Sequence, residues 1–474
     1  MKSLRPVALA GLLLAGVALA CATLACTSPA LASAAPASWS APATLGSCAA
    51  VGAARAVFPR DQPTHGTGRG AVVWSAARSC PQGTGTYVAP IGAGDVPGSP
   101  SYALARGGGK LALRPPLALA PAPHGQIAIA GSGGARGGGL LVQGAAAGPF
   151  SPLGALAGAV APSSLFTAYL GDVGLATPIA GGLDNDGLEL RIERYYAHAL
   201  SPTITVAGQG GAIESSTVSL DFRTDAILVW RQAGALWARD LPASGHAQPT
   251  QRLAAAARAP RVSALISDNN RAMVAWADEE GGQTSIYFDY SASGVRFGRP
   301  QLLERFSNPS GVPYPQTSPR LVRLSSESVM LAWTGAQDGR WVVRTAAVDL
   351  HGLRKASTIS DPAANALLSD LQPGPDGEAI ALWGEPQIGG GGKLDFGTQA
   401  LVAARGIDAR PGVTIFGGPE QVAPPGPTGV PTLEAEQKSD ATLAFDPSSD
   451  RALALWRGTG ERIYYSIRTP ATRD

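Results

Sequence analysis

Short runs of consecutive apolar residues, each ending in tryptophan, recur along the chain. The clearest are Asp225-Ala-Ile-Leu-Val-Trp230, Arg271-Ala-Met-Val-Ala-Trp276, Glu378-Ala-Ile-Ala-Leu-Trp383 and Arg451-Ala-Leu-Ala-Leu-Trp456; Ser328-Val-Met-Leu-Ala-Trp333 and Arg69-Gly-Ala-Val-Val-Trp74 are close variants. Successive residues of a strand point to opposite faces, so a run apolar at every position must be covered on both sides. Five or so residues suit a strand and are too few for a helix. Turn formers precede the runs: Ser267-Asp268-Asn269-Asn270, Pro375-Asp376-Gly377 and Pro447-Ser448-Ser449-Asp450.

Further short strand patterns flank each run. They lie upstream at 218–222, 262–266, 321–324 and 442–445, and downstream, richer in Tyr, Val and Arg, at 236–240, 285–290, 342–347, 401–404 and 463–467. A fourth often precedes the next unit, as at 298–303. Trp230, Trp276, Trp333, Trp383 and Trp456 follow one another at 46, 57, 50 and 73 residues. A unit of four strands with a period near 50 predicts an all-β fold, a β-propeller. Each Trp is expected to pack between blades with its N–H on a partner.

Two weaker units without Trp fill 117–157 and 165–207. Eight four-stranded blades then begin near residues 54, 115, 164, 215, 259, 318, 364 and 439. The last stops after its third strand, so a strand from about 45–51 is expected to complete it and remove the open edge. Seven blades is the second possibility, and two β-sandwich domains split near 210 the third. The longest insertion, 384–440, reads as a loop and a contact surface. With its Asp/Gly turn, Ala-x-x-x-Trp run and Tyr-rich strand, the chain resembles exported bacterial β-propeller proteins of the loosely repeated kind. The resemblance is good over 215–468 and poor over 40–210, and it implies an architecture without an activity. The Ser-x-Asp-x-Gly-x-x-Trp box of sialidase propellers is not matched: Asp376 stands seven residues before Trp383 instead of five.

The N-terminus sets the destination. Lys2 and Arg5, an apolar stretch over 7–20 and Ala30-Leu31-Ala32 read as a secretory signal over 1–32, with Ser33 as the first mature residue. A short Ala/Pro linker is expected over 33–44, one propeller domain over 45–468 and a tail over 469–474. The alternatives are a lipoprotein cut before Cys21 or Cys26, and an uncleaved anchor. The expected location is therefore extracellular, released or lipid-anchored to the surface. Removing 1–32 takes two of 37 basic residues and none of 35 acids, which leaves no net charge. No basic run appears, so nucleic acid is an unfavoured partner. Hydrophobic residues at 45%, charged residues at 15%, and 60 Gly with 39 Pro exclude a coiled coil and a disordered chain. Cys48 and Cys80 remain in the mature chain. In an exported protein they favour one disulfide, worth about 3 kcal/mol, over two free thiols.

Candidate chemistry is sparse. Asp184, Asp186 and Glu189 offer carboxylates to a hard cation such as Ca²⁺, although Asn185-Asp186-Gly187 also reads as a tight turn. The strand that follows brings Arg191, Arg194 and Tyr195 together as ligand contacts, against a plain half-exposed strand. His65, His124, His198, His246 and His351 show no ligand spacing. Residues 389–393 fail as a phosphate loop, because Leu394 stands where Ser or Thr is needed. The expected function is that of a monomeric, non-enzymatic module binding a cell-envelope glycan or a protein. The alternative is a carbohydrate-active hydrolase or lyase, with Asp184, Asp186, Asp221, Asp268 and Asp370 converging at a channel. A purely structural surface protein is a third class.

Overall fold

The structure is a computed structural model. It describes residues 37–470 apart from 60–69, 77–79, 81–82, 123–124, 133–138, 157–163, 168–172, 180–186, 194–203, 207–208, 222, 224, 244–247, 256–260, 268, 295, 310–318, 326, 350–351, 375–376, 389–393, 411–412, 426–440 and 447. Every regular element longer than three residues among the described residues is a strand. The strands form seven antiparallel sheets.

Six of the sheets are sequential meanders. In chain order, the second sheet contains Arg114–Ala122, Gln126–Ser132, Gly139–Gly144 and Phe150–Leu156, and the third contains Ser164–Thr167, Val173–Ile179, Gly187–Glu193 and Ile204–Val206. The fourth has Ile213–Leu220, Ala226–Gln232, Ala235–Leu241 and Gln251–Ala254; the fifth has Arg261–Ile266, Ala272–Glu280, Gln283–Ser291 and Gln301–Ser307. The sixth has Arg320–Arg323, Val329–Gln337 and Arg340–Asp349, edged by Gly352–Leu353 and Ser357–Thr358. The seventh has Leu367–Pro373, Glu378–Ile388 and Leu394–Arg410, edged by Val413–Phe416 and Glu420–Ala423. The expected loop at 384–440 is thus strand over most of its length up to residue 423, because the hairpin of Glu378–Ile388 and Leu394–Arg410 simply continues outward.

The first sheet joins both ends of the chain. It holds Thr442–Asp446, Arg451–Arg457, Arg462–Thr469, Ala43–Val57, Gly70–Ala76, Gly85–Ile91 and Ser101–Tyr102 in that order, with Ser38–Trp39 also on Arg462–Thr469. Ala43–Val57 works twice. Ala43, Thr44 and Ala49 face Tyr465, Tyr464 and Arg462, while Ala50 to Val57 run opposite Ala76 to Ala71. Gly46 and Gly52 take positive φ where each register shifts, a conformation that favours glycine.

Each Trp-ended run is the second strand of its sheet, except that the first sheet holds two of them, Arg451–Arg457 in second and Gly70–Ala76 in fifth place. Trp74, Trp230, Trp276, Trp333, Trp383 and Trp456 are all fully buried. They pack into cores shared by neighbouring sheets: Trp276 between the fourth and fifth, Trp333 between the fifth and sixth, Trp383 between the sixth and seventh. Trp74, Trp276 and Trp456 stack on the Tyr directly opposite in the following strand, Tyr87, Tyr287 and Tyr464, at 5.7, 5.3 and 6.1 Å. The indole N–H of Trp230, Trp383 and Trp333 donates to Gln232, Glu385 and Glu304 at 3.1, 2.9 and 2.8 Å. Trp74 departs from this rule, its buried Nε1 having no acceptor.

Polar side chains tie one sheet to the next. Ser219 Oγ accepts from Ile266 N at 3.0 Å, Ser263 Oγ from Leu321 N at 3.1 Å, and Thr334 Oγ1 from Leu368 N at 3.0 Å. Asp370 Oδ2 accepts from Leu443 N at 2.9 Å, and inside the first sheet Thr442 Oγ1 donates to Ala54 O at 2.9 Å. First strands are neighbours in succession from Ala43–Val57 through each sheet to Thr442–Asp446, which again lies beside Ala43–Val57.

Candidate functional site

The sequence-predicted site falls largely outside the described residues: Asp184, Asp186, Arg194, Tyr195 and Asp268 all do. Glu189 and Arg191 lie on the third strand of the third sheet, with Glu189 opposite Thr177 and Thr205 and Arg191 opposite Leu175 in the backbone register. Cys80 is buried and disulfide-bonded, and the side chain of Cys48 lies outside the described part. Among the described residues no three His, Cys, Asp or Glu side chains group closely enough to hold a metal ion. No helix among them is long and apolar enough to cross a membrane.

Of the five acids expected to converge, two are described, and both serve the scaffold. Asp221 closes the turn after its strand, its Oδ1 accepting from Arg223 N at 2.8 Å and Asp225 N at 2.9 Å. Asp370 accepts from Leu371 N and Leu443 N at 2.9 Å each and from Gln372 Nε2 at 3.2 Å. Other acids face guanidinium groups: buried Glu378 pairs with Arg405, buried Asp349 with Arg354, and half-buried Glu420 receives both Nε and Nη2 of the buried Arg468 at 2.8 and 2.7 Å. Burial pushes the carboxyls of Asp221 and Asp289 up, and that of Glu385 despite its bond from Trp383. Asp95 is likewise raised by burial, against a bond from Ser449 and with Asp446 as a like-charged neighbour.

A cleft of about 460 Å³ opens at one end of the second sheet. Gln126 opens the second strand, Gln143 stands near the end of the third, and Ser151 and Leu153 begin the fourth, so the antiparallel order brings them to the same end. Arg106 arrives from the segment linking the first and second sheets. Phe150 N donates to Leu104 O at 2.8 Å and Arg106 N donates to Phe150 O at 2.7 Å, which docks the segment beside the fourth strand. A tight reversal holds it, with Ala105 N on Gly109 O at 2.7 Å and Leu111 N on Ala103 O at 2.9 Å. The guanidinium, two carboxamides and a hydroxyl supply many donors and neutral acceptors, and Pro149 and Leu153 supply apolar contact.

Beside this segment, Tyr102 packs on Tyr87 with ring centroids 4.5 Å apart and tilted by 34°, and carries the Lys110 ammonium 3.8 Å above its ring. A hydrogen bond with Tyr87, and then Lys110, draw the Tyr102 phenol below its usual range. The cleft escapes sequence reading because Arg106 borders a glycine run, 107–109, that carries no motif, and Gln126 and Gln143 lie at or next to the start and the finish of two otherwise apolar strands. A polar residue at the end of two otherwise apolar strands was the available signal.

No family model and no curated protein matches the chain. Among solved structures it is similar to one described as the eukaryotic initiation factor, at 10% identity and TM-score 0.44, over 92% of this chain and 94% of that one. It is similar to a polysaccharide lyase of family PL25, an ulvan lyase bound to -[GlcA(1-4)Rha3S]-, at 10% identity and TM-score 0.40, over 81% of this chain and 96% of that one. It is also similar to the Aleuria aurantia lectin with alpha-methyl-L-fucoside, at 11% identity and TM-score 0.31, over 65% and 96% of the two chains. No residue role is carried over from likenesses this distant.

Proposed function

We propose that the chain is a secreted, monomeric β-propeller of eight four-stranded blades, of the exported bacterial kind, that binds a cell-envelope glycan at the second-sheet cleft. Dividing the eight-stranded sheet at residues 49 and 50 supports the blade count: its halves become a first blade and a last one completed by the N-terminal strand. The succession of first strands back to Ala43–Val57 supports closure. The signal-like segment supports export, and the bonded state of Cys80 supports a bridge to Cys48.

The cleft lining carries the binding function. Arg106, Gln126, Gln143 and Ser151 present hydrogen-bonding groups suited to sugar hydroxyls and acidic sugars. Arg191, Arg194 and Tyr195, with Ca²⁺ at Asp184, Asp186 and Glu189, are a second proposed contact on the third sheet.

The test is binding of the chain from Ser33 to an array of envelope and plant polysaccharides, with Arg106→Ala and Gln143→Ala alongside. Saturable binding that leaves the sugar intact and weakens about tenfold in each variant is expected. Release of shorter products would mark a carbohydrate-active enzyme instead. Binding unaffected by both variants removes the cleft from the function, and no binding across the array points to a protein partner.

A further inference from the structure

The fourth and fifth sheets meet at a group of oxygens without donors. Asp240 stands near the end of Ala235–Leu241 and is 1% exposed, yet among the described residues neither carboxylate oxygen has a hydrogen-bond partner. The adjacent Leu241 N–H favours its charged form but falls short of a hydrogen bond. Asn270 lies in the turn before the second strand of the fifth sheet. Its Nδ2 donates to Ser293 O at 3.2 Å, which fixes the amide, and its buried Oδ1 is also without a donor. Gly294 marks where these atoms converge. A Cβ on Gly294 would lie 2.7 Å from Asn270 Oδ1, 3.0 Å from Asn270 O and 3.1 Å from Asp240 Oδ2. A carboxylate, an amide and a peptide carbonyl oxygen therefore crowd together against the Cα of Gly294, within about 6 Å of one another.

More negative charge stands behind them. Asp225 and Asp221 both act on Asp240 as like charges. Asp221 Oδ2 is buried without a hydrogen bond, and the nearest guanidinium nitrogen to it, Arg223 Nε, is 3.7 Å away on a half-exposed side chain. Asp225 Oδ1 accepts from Ala243 N at 2.7 Å. Buried acceptors normally find donors, and a buried carboxylate with none is costly. Here the acceptors come from two sheets and are of the oxygen types a hard cation takes.

The geometry points to a calcium ion bound between Asp240 and Asn270 at the seam of the fourth and fifth sheets. Calcium accepts carboxylate, amide and carbonyl oxygens in irregular sets of six to eight, completed by water, whereas magnesium demands a near-ideal octahedron. Only one of the three converging oxygens belongs to an acid, so the site is not of the kind formed by three clustered acids. The ion would join the third strand of one sheet to the turn of the next. The site shares no residue with the sugar cleft or with the Asp184–Glu189 segment.

The test uses the full mature chain stripped with a chelator and titrated with CaCl₂, read by calorimetry and by thermal melting. One equivalent of calcium and a rise in Tm are expected. Asp240→Asn should lower the affinity by at least about tenfold and abolish the Tm rise. Asn270→Gly keeps the positive φ of that turn while removing the carboxamide, both its free oxygen and its bond to Ser293 O, and should weaken calcium binding with an unchanged circular dichroism spectrum. It decides the matter if Asp240→Asn fails to fold. The double variant Asp184→Asn, Asp186→Asn should leave the response intact. The proposal is overturned if the wild type shows neither heat nor a Tm change, if only the Asp184, Asp186 variant loses the ion, or if magnesium reproduces the effect in full.

Discussion

Without calcium, Asp240 should make the protein less stable as pH rises, and Asp240→Asn should remove that dependence. Burial first, then Asp225 and Asp221, push its carboxyl from 3.8 to about 7. The unfolded chain releases the proton near 3.8, while the folded chain keeps it until about 7. Between these values the folded state binds one proton more. Asp240 therefore favours folding most below the lower value, and the benefit is lost as pH rises through the upper one, by at most about 1.4 kcal/mol per pH unit. The whole interval corresponds to about 4 kcal/mol; structural relaxation around the charge should reduce this to about 2–4. Asp95, Asp221, Asp289 and Glu385 are raised as well and act with the same sign, so the wild-type curve alone does not isolate Asp240. The difference between wild type and Asp240→Asn does. Urea unfolding in chelator at pH 5 and pH 8 should show the variant gaining about 2 kcal/mol or more on wild type at the higher pH. A difference that stays constant between the two pH values, or a variant less stable at pH 8, refutes the reasoning.

Two further outcomes test the seams. Asp370→Ala leaves Leu371 N and Leu443 N without their acceptor and should cost about 2–4 kcal/mol in urea unfolding, with faster amide exchange at Leu443 than at residues of the fourth sheet. Deleting residues 37–49 strips Arg462–Thr469 of both N-terminal partners and bares a strand edge, so the truncated chain should self-associate on size-exclusion chromatography. A truncated chain that elutes as wild type and melts at the same temperature would count against closure by the N-terminal strand.

The second strands were legible because burial on both faces is written directly into their composition: Ala226–Gln232 or Val329–Gln337 admits no other cover than neighbouring sheets. The first half of the chain was fainter for a physical reason. The second sheet fills its core with Ile127, Ile129, Val142 and Phe150, which carry no repeating large ring to mark a period. The ties between sheets were not legible. Ser219, Ser263 and Asp370 meet backbone N–H groups at least 47 residues away in the chain, and a lone polar residue in a strand reads equally well as solvent-facing. Asp221 and Asp370 looked like channel acids for the same reason: composition shows a carboxylate, while its donors come from a turn or the next sheet.

Strand direction links the two proposed sites. Gln143 is near the end of a third strand in the second sheet, and Asp240 holds the corresponding place in the fourth. Gln126 and Asn270 stand at or just before the starts of second strands. In a meander, third strands end and second strands begin at the same end of the sheet. If the sheets are blades of one ring, the sugar cleft and the calcium seam open on the same face, two blades apart. A stretch of ligand leaving the cleft along that face would then approach loops that the ion holds in place. Calcium should therefore strengthen the binding of long glycans more than that of short fragments, and Asp240→Asn should abolish the difference while leaving fragment affinity unchanged. Equal calcium effects on long and short ligands would separate the two sites and leave the ion a purely structural tie.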